Sequence, residues 1–507
     1  MIVMASALAA SGMDVACEDQ GPWEGPWECK EQGCAFPTMK CAELADLGAC
    51  GWKFSEIWKS PPAGTKNSLI RDKCPRSCKQ CSTVRASLAA ADGAASSVGA
   101  STPEYVQGTD LLVKGLEAWK SDPHLGAQML TVASEMRRRV DLTKDTPLDH
   151  PLLQTHFAIN GLVRTDSFVH VNRVKLRHDA EQLELLVERG RLPAQPHTRL
   201  AQLYRQLAGL LPNASNPERL EPQLMTMDES IPQLFRRAFN RALHVYFPER
   251  LEHSVLRPRD WVAVEHSYYA SDLPDDPHGC REQNGYAVLD NVLTDEALEA
   301  LRRWCDESTM WFASKPGYLG AFHQEAFASP LLLQVAGELK AALPSLLGKH
   351  QLNAAWAFKY SNDEDDWPAS GINVHADKAA VNLNLWLSAS DANLEDGTGG
   401  GLVVYKKQAP ASMDQTQYNN ETAEAQERLQ ELFKDADKLD IPHKQNRLVI
   451  FNSNLLHKSM PSKFKKGYRN RRINLTLLFG ARCKGQTEAS TLSTAPTGSA
   501  PDSKSKA

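Results

Sequence analysis

The sequence lacks any apolar run approaching the roughly 20 residues needed to cross a bilayer, so it predicts no transmembrane span. It also lacks a strong excess of either charge. The 57 Lys and Arg against 62 Asp and Glu leave a net charge of −5, which argues against nucleic acid as a partner. Cysteine is scarce after residue 81, where only Cys280, Cys305 and Cys483 occur. A chain of 507 residues with this composition is expected to form several soluble domains.

Most of the cysteines lie in the first sixth of the chain. This density is typical of small domains that disulfides stabilise in an oxidising compartment. A zinc site in the last three is the alternative, although no matching His or second Cys pair follows at finger spacing. Residues 1–16 are apolar but lack the basic start of a signal peptide. We therefore predict a candidate signal segment over 1–16, a disulfide-rich module over 17–81, and a location in the secretory pathway (endoplasmic reticulum lumen or secreted). The eight cysteines are Cys17, Cys29, Cys34, Cys41, Cys50, Cys74, Cys78 and Cys81.

The last six of these cysteines end in a Cys-Pro-Arg-Ser-Cys-Lys-Gln-Cys run over residues 74–81. This run resembles the ShK toxin (ShKT) module, whose family pairs its half-cystines first to sixth, second to fourth and third to fifth. The resemblance implies three disulfides and leaves Cys17 and Cys29 as an extra pair outside the family pattern. The implied disulfides are Cys34–Cys81, Cys41–Cys74 and Cys50–Cys78.

Residues 82–103 are small and polar, which predicts a flexible linker. Helical spacing of apolar residues then predicts an all-α middle domain over 104–270. Prolines divide this region into segments of helix length, so a helical repeat array is an alternative to an irregular helical domain. The tail, 483–507, is predicted to be disordered. The clearest apolar spacings are in Leu200, Leu203, Leu207 and Leu210, and in Leu234, Phe235, Phe239, Leu243 and Phe247.

The pattern changes to short strands in the region 271–482. A helix from Thr294, with a capping hydroxyl and acidic first-turn residues, is expected to precede most of them. Alternation of apolar and polar residues predicts an antiparallel sandwich or barrel with flanking helices. The predicted strands are 286–289, 354–360, 371–375, 379–387, 401–405, 447–451 and 472–479.

Three residues of this region have the chemistry of a metal site. His375 and Asp377 are two residues apart on a predicted strand, so they share a face. They supply two-thirds of the 2-His-1-carboxylate triad that leaves positions open on non-haem iron. His457, just past the strand 447–451, is the best candidate for the third ligand. The other histidines in or near this region are His266, His278, His323, His350 and His443.

An arginine on the last strand can complete a cosubstrate site, because Arg binds a carboxylate bidentately. Strand alternation places Arg472, Asn474 and Thr476 on one face, whereas Arg471 lies on the apolar face with Ile473. Arg472 is therefore the predicted anchor, with Asn474 on the same face as a further predicted cosubstrate-binding residue. Arg471 is the second choice and Arg469 the third.

The order His-x-Asp, distal His, then Arg resembles the Fe(II)/2-oxoglutarate-dependent dioxygenase superfamily over residues 285–480. Tyr360 before the His-x-Asp motif and the glycines at 399–401 are similar to the prolyl 4-hydroxylase branch, which usually has Lys where this chain offers Arg472. The resemblance implies a double-stranded β-helix (jelly-roll). It also implies Fe(II), 2-oxoglutarate and O2 as cofactor and cosubstrates, with ascorbate as an optional reductant, and a role for Tyr360 in binding 2-oxoglutarate.

The resemblance implies release of succinate and CO2 during hydroxylation of a protein or peptide side chain, with proline as one candidate. Two alternatives are a small-molecule substrate and a binding or scaffold protein without turnover. A zinc hydrolase would use the same triad but would not need Arg472. Residues 406–446 are predicted to form a lid-like insertion. Asn382, Asn384 and Trp386 are predicted to lie on a solvated strand face, with binding of cosubstrate or substrate by the two asparagines as the alternative. The sequence does not indicate the oligomeric state.

Overall fold

We analysed a computed structural model of the chain, which divides into two compact units, residues 1–100 and 101–507. In the first unit, two strands, β1 (Trp23–Glu28) and β2 (Ala35–Met39), pair antiparallel. The eight cysteines lie outside the described residues, so the module and its disulfides stay predictions. The structure describes residues 23–28, 35–39, 103–144, 153–154, 164–165, 168–211, 223–226, 231–273, 284–363, 371–395, 397–410 and 423–482.

In its described residues, the first part of the second unit contains helices and four short strands, so the prediction of an all-α domain is not confirmed. These strands pair antiparallel, β3 with β4 and β5 with β6. The elements are α1 (Pro103–Trp119), α2 (Pro123–Arg138), β3 (Leu153–Gln154), β4 (Arg164–Thr165), β5 (Phe168–Val171), α3 (Arg173–Glu188), α4 (Ala194–Leu210), β6 (Gln223–Thr226), α5 (Gln233–Ala238) and α6 (Trp261–Tyr269).

The second apolar spacing predicts a longer helix than the one that forms. Helix α5 ends at Ala238, and Asn240 has a left-handed φ of 55°. Asparagine adopts this conformation more readily than most residues and often follows a helix end. Phe235 and Phe239 still stack, with ring centroids 4.9 Å apart, because the core takes both side chains even though the helix has ended.

The second part of the unit contains the strands that carry the candidate site. Thr294 caps α7 by accepting a hydrogen bond from Ala297 N, as predicted. The elements are β7 (Tyr286–Leu289), α7 (Asp295–Glu307), β8 (Ala313–Lys315), β9 (Tyr318–Phe322), α8 (Pro330–Ala342), α9 (Pro344–Leu347), β10 (Leu352–Tyr360), β11 (Val381–Trp386), β12 (Leu402–Gln408), α10 (Ala423–Phe433), β13 (Lys438–Ile441), β14 (Leu448–Asn452), β15 (Leu455–Ser459) and β16 (Ile473–Phe479).

These strands form two antiparallel sheets, which confirms the prediction of an antiparallel sheet domain. The large sheet has the order β7-β14-β11-β16-β10-β9-β8, and the small sheet has the order β13-β12-β15. The segment around His375 joins the small sheet beside β15 through a single bridge to His457. In chain order, the eight segments are β10, the segment around His375, β11, β12, β13, β14, β15 and β16. Strands β10, β11, β14 and β16 lie in the large sheet, and the other four segments lie in the small sheet. This distribution between two sheets is that of a jelly roll.

The segment 371–375 does not form the regular strand that its apolar pattern predicts. Its one β-bridge joins His375 to His457. The chain then bends, with Asp377 N donating to Ser453 O at 3.1 Å and Ala379 N to Asp377 O at 3.0 Å. The strand prediction was wrong here because only one residue pair forms a β-bridge before the chain turns into β11, although Ser459 N also donates to Ile372 O at 3.1 Å.

The hydrophobic core is continuous across residue 270, where the sequence predicts a domain boundary. Leu112 of α1 and Leu130 of α2 belong to the same buried cluster as Leu301 of α7, Leu352 of β10 and Leu477 of β16. Among the described residues, one buried cluster therefore spans both sides of residue 270, while the helices between residues 142 and 243 also form a cluster of their own. Among the described residues, no helix is long and apolar enough to cross a membrane.

The turn after β7 contains an ion pair that makes stability depend on pH. Asp290 accepts hydrogen bonds from Arg447 Nε at 2.6 Å and from Lys444 Nζ at 2.8 Å. The bond from Arg447 is the main reason that the pKa of Asp290 is lowered to about 2. A carboxyl group whose pKa is lowered on folding stabilises the protein above its unfolded pKa, and this contribution is lost as the pH falls towards the folded value.

We expect Asp290→Asn to lower the free energy of unfolding at pH 7 by about 1–2 kcal/mol, a value reduced for partial solvent exposure. The difference from the wild type should shrink between about pH 4 and pH 2, because the wild-type carboxyl group then also becomes neutral. Chemical denaturation of both proteins at several pH values measures this difference. Asp391→Asn, in an exposed pair with Lys465, is the control. A difference that does not change with pH would contradict the assignment.

Candidate metal and cosubstrate site

Three side chains distant in sequence meet at one end of the jelly roll. His375 and His457 face each other through two backbone hydrogen bonds, N to O at 3.0 Å and 2.8 Å. Asp377 lies beside them, with Oδ2 3.4 Å from His457 Nε2. One potential ligand atom from each residue lies within 4.8 Å of the others. The structure therefore brings together the three ligands that the sequence predicts.

Backbone carbonyls orient both imidazole rings. His375 Nδ1 lies 2.8 Å from Asn373 O, and His457 Nδ1 lies 2.9 Å from Leu455 O. A carbonyl oxygen can only accept, so Nδ1 of each ring carries the proton and Nε2 keeps its lone pair. This arrangement is typical of metal-binding histidines, whose second nitrogen is held by an outer partner.

The charge states of His375 and Asp377 also suit a metal. Burial, and then the neighbouring His457, lower the pKa of His375 to about 4. For Asp377, burial opposes ionisation, but the hydrogen bond and charge of His457, with His375 and Asn382, lower its pKa overall. At neutral pH the site therefore presents a neutral imidazole and a carboxylate. Two imidazoles and one carboxylate form the facial triad of non-haem iron oxygenases.

A row of buried amides holds the aspartate. Asn382 Nδ2 donates to Asp377 Oδ2, and Asn384 Nδ2 donates to Asn382 Oδ1 at 2.7 Å. Asn474 Nδ2 and Thr476 Oγ1 then donate to Asn384 Oδ1 at 2.7 Å and 3.0 Å. The prediction of a solvated face for β11 was wrong, since Asn382 is fully buried. The spacing of Asn382 and Asn384 shows from the sequence that they share one face of the strand. Only the fold shows that this face points into the barrel.

Arg471 and Arg472 are consecutive and point in opposite directions. Arg471 Nη2 forms a buried ion pair with Glu181 Oε2 of α3 at 2.9 Å. Arg472 is 2% exposed, and its Nη2 donates to Gly401 O at 3.2 Å while its Nε donates to Gly400 O. No carboxylate within the described ranges pairs with it. Of the predicted anchors, Arg472 therefore lies inside the barrel, whereas Arg471 already has a partner on the outer face.

The neighbours of Arg472 complete a carboxylate-binding arrangement. The Tyr360 ring lies 4.3 Å from the Arg472 guanidinium carbon, and its hydroxyl group lies 3.1 Å from Ser459 Oγ. Gly400 has a φ of 73°, and a Cβ on Gly401 would lie 1.8 Å from Ile441 O. These glycines are therefore required for the close approach that turns both carbonyls towards Arg472.

The buried guanidinium group of Arg472 fits one carboxylate of a dicarboxylate cosubstrate. Arg472 Nη1 has no hydrogen-bond partner. Burial lowers the pKa of Arg472, although guanidinium remains charged at neutral pH. A buried cation with an unused donor matches a carboxylate group. The residues present therefore fit both groups that the sequence implies: iron on the triad, and 2-oxoglutarate between the triad and Arg472.

The predicted lid region contains α10, which packs outside the triad segment. Gln426 Nε2 donates to Val374 O at 3.2 Å. Leu429 is buried with Val374 and Leu456 in one apolar cluster. Among the described residues, this helix thus packs against the segments that carry the candidate ligands His375 and His457. The alternative histidines that the structure describes do not join the triad; they are His266, His323, His350 and His443.

No family model and no curated protein match the sequence. The three solved structures named below have identities of 18% or less and TM-scores of 0.30 or less. A functional proposal therefore rests on the side chains of the site. Similar solved structures include a Pseudomonas putida prolyl-4-hydroxylase (18% identity, 46% of this chain, 99% of that chain, TM-score 0.27), the non-haem α-ketoglutarate-dependent carbocyclase SnoK of nogalamycin biosynthesis (11%, 46%, 95%, 0.30) and a Trichoplax adhaerens prolyl hydroxylase in complex with a hypoxia-inducible-factor peptide fragment (14%, 42%, 88%, 0.22).

We expect His457→Ala to abolish measurable binding of Ni2+, a redox-inert substitute for Fe2+, because it removes one of three protein ligands. Asn382→Ala should weaken binding by about 10- to 100-fold, as is usual when a group that orients a metal ligand is lost. Isothermal titration calorimetry measures both effects. His253→Ala is the control, since His253 lies on the surface with 56% of its side chain exposed. Ni2+ binding by His457→Ala at wild-type affinity would disprove the triad.

Proposed function

We propose that this protein is an Fe(II)- and 2-oxoglutarate-dependent oxygenase. The observation that carries the proposal is the pairing of the His375, Asp377 and His457 cluster with Arg472 inside one jelly roll. A metal cluster alone suits zinc as well as iron. A buried arginine with an unused donor adds a binding group for a dicarboxylate, which zinc hydrolysis does not require.

Each part of the site has a defined task in this proposal. His375 and His457 bind the metal through Nε2, and Asp377 binds it through its carboxylate, which Asn382 keeps in orientation. Arg472, Tyr360 and Ser459 bind the distal carboxylate of the cosubstrate. When bound, iron and 2-oxoglutarate supply oxidative chemistry in which O2 is consumed, succinate and CO2 are released and one oxygen atom enters the substrate. The protein contributes placement and exclusion of water.

The inner face of the sheet beside the site is aromatic. Trp356 and Phe358 are half-buried on β10, and their cross-strand partners on β16 are Thr476 and Asn474. Phe322 of β9 lies opposite Trp356. This apolar surface favours an uncharged side chain as the group to be oxidised. It supports hydroxylation of a protein or peptide, with proline as one candidate residue.

We expect the full-length protein, supplied with Fe2+, 2-oxoglutarate, O2 and ascorbate, to release succinate. Arg472→Gln should weaken apparent 2-oxoglutarate affinity by roughly 10- to 100-fold, because it removes charged hydrogen bonds to a carboxylate. Succinate is quantified by mass spectrometry with peptide pools or small-molecule pools as substrate. Arg469→Gln is the control, since Arg469 lies nearby with 53% of its side chain exposed.

The outcomes separate the alternative functions. Stimulation by peptides supports a protein hydroxylase, whereas stimulation only by small molecules supports an enzyme for those substrates. Binding of Ni2+ and 2-oxoglutarate without succinate release under any condition would identify a binding protein that has lost turnover. Equal 2-oxoglutarate affinity in the wild type and Arg472→Gln would contradict the role of Arg472.

A further inference from the structure

A second group of buried polar atoms, in His443 and Trp386, lies near Arg472. We call the end of the barrel that these three residues form the closed end. His443 follows β13 and is 5% exposed. Its backbone N donates to Gly399 O at 3.1 Å. Its ring contacts the rings of Phe464, with centroids 5.0 Å apart, and Trp386, with centroids 5.9 Å apart. Both ring nitrogens of His443 and Nε1 of Trp386 lack hydrogen-bond partners.

These atoms adjoin the predicted carboxylate anchor. A Cβ on Gly400 would lie 3.3 Å from His443 Cβ, and Gly400 O accepts the hydrogen bond from Arg472 Nε. Trp386 is the cross-strand partner of Asn474, which follows Arg472 by two residues. Unpaired buried polar atoms are uncommon in native proteins. His443 and Trp386, with their unpaired atoms beside the unpaired Nη1 of Arg472, therefore fit a ligand-binding end wall.

The charge state of His443 suits a hydrogen bond but not an ion pair. Burial is the largest influence on it, and the positive charges of Arg472 and Arg447 add to that effect, so that its pKa falls to about 3. His443 is therefore neutral at physiological pH, with one nitrogen as a donor and the other as an acceptor. A carboxylate accepts up to about four hydrogen bonds, which is more than the unused Nη1 of Arg472 can supply.

We propose that His443 and Trp386 form a neutral end wall that donates hydrogen bonds to the distal carboxylate of 2-oxoglutarate and limits the length of dicarboxylate that the site accepts. This inference rests on the proposed function. It adds two residues that the sequence did not assign to the cosubstrate, and it makes His443 a specificity-determining residue. The closed end is built from rigid rings, so a longer cosubstrate cannot gain space by a simple side-chain rotation.

Binding measurements test the end wall without depending on turnover. We expect His443→Phe, which keeps an aromatic ring but no donor, to weaken 2-oxoglutarate binding to the Ni2+-loaded full-length protein by about 10-fold or more. His443→Ala should improve the affinity for six-carbon 2-oxoadipate relative to 2-oxoglutarate, because it vacates space. Ni2+ affinity without cosubstrate should stay unchanged in both variants. Calorimetry gives all three quantities, and His253→Phe is the matched surface control.

Trp386 provides an independent measurement. Trp386→Phe keeps the ring packing and removes the indole N–H, so 2-oxoglutarate affinity should fall several-fold. The indole ¹H–¹⁵N signal that this variant lacks should move in the wild-type spectrum when 2-oxoglutarate is added. This second variant and the wild-type spectrum keep the test decisive if the His443 variants do not fold.

The two proposals fail in different ways. If wild-type protein loaded with Ni2+ does not bind 2-oxoglutarate, the proposed function itself is wrong. If the wild type binds it, while His443→Phe and Trp386→Phe retain wild-type affinity and length preference and the indole signal does not move, only the end wall is wrong. A folded His443→Phe with normal Ni2+ affinity and weakened 2-oxoglutarate binding supports it.

Discussion

The pairing of His375 with His457 is the constraint on which the candidate site depends. The His375 segment joins the small sheet through this one bridge, and both backbone hydrogen bonds are short and direct. The pairing places the two imidazoles side by side, with centroids 4.2 Å apart, and brings Asp377 next to them. Helix α10 and its apolar cluster support the same segment from outside. The metal ligands are therefore positioned by backbone contacts before side-chain chemistry is considered.

Strand β16 connects this site to the rest of the unit. It lies between β10 and β11, so its alternate side chains face two different environments. On the inner face, Asn474 and Thr476 join the amide row that leads to Asp377. On the outer face, Leu475 and Leu477 enter the core shared with the helices. Just before the strand, Arg472 and Arg471 follow the same alternation, one turned inward and one paired with Glu181.

The same division occurs on β10. Tyr360 faces the interior beside Arg472, whereas Lys359 on the opposite face donates to Cys305 O at 2.7 Å and to the Tyr468 hydroxyl at 2.8 Å. Burial, the largest influence, lowers the pKa of Lys359 to about 8. The anchor residues of the site are thus backed by buried polar contacts to α7 and to the segment before β16. Such contacts restrict the movement of strands whose inner side chains must keep a defined geometry.

The sequence by itself determined those features that depend on local spacing. Alternation along a strand selected Arg472 over Arg471, the Thr294 cap marked the start of α7, and the His-x-Asp motif identified two neighbouring ligands. Each depends on residues only a few positions apart, for which backbone geometry fixes the relative direction of side chains. The antiparallel sheets also followed from this periodicity, although the short strands β8, β9, β13 and β15 were not predicted.

Only the tertiary structure decided features that depend on partners far along the chain. Glu181 and Arg471 pair across 290 residues. The burial of Asn382 depends on elements outside β11. His443 lies near Arg472 only because β13 ends close to the point where β16 begins. The early end of α5 and the core that continues past residue 270 have the same origin. In each case the decisive energy comes from desolvation and packing against distant elements, and a local pattern of residues does not contain that information.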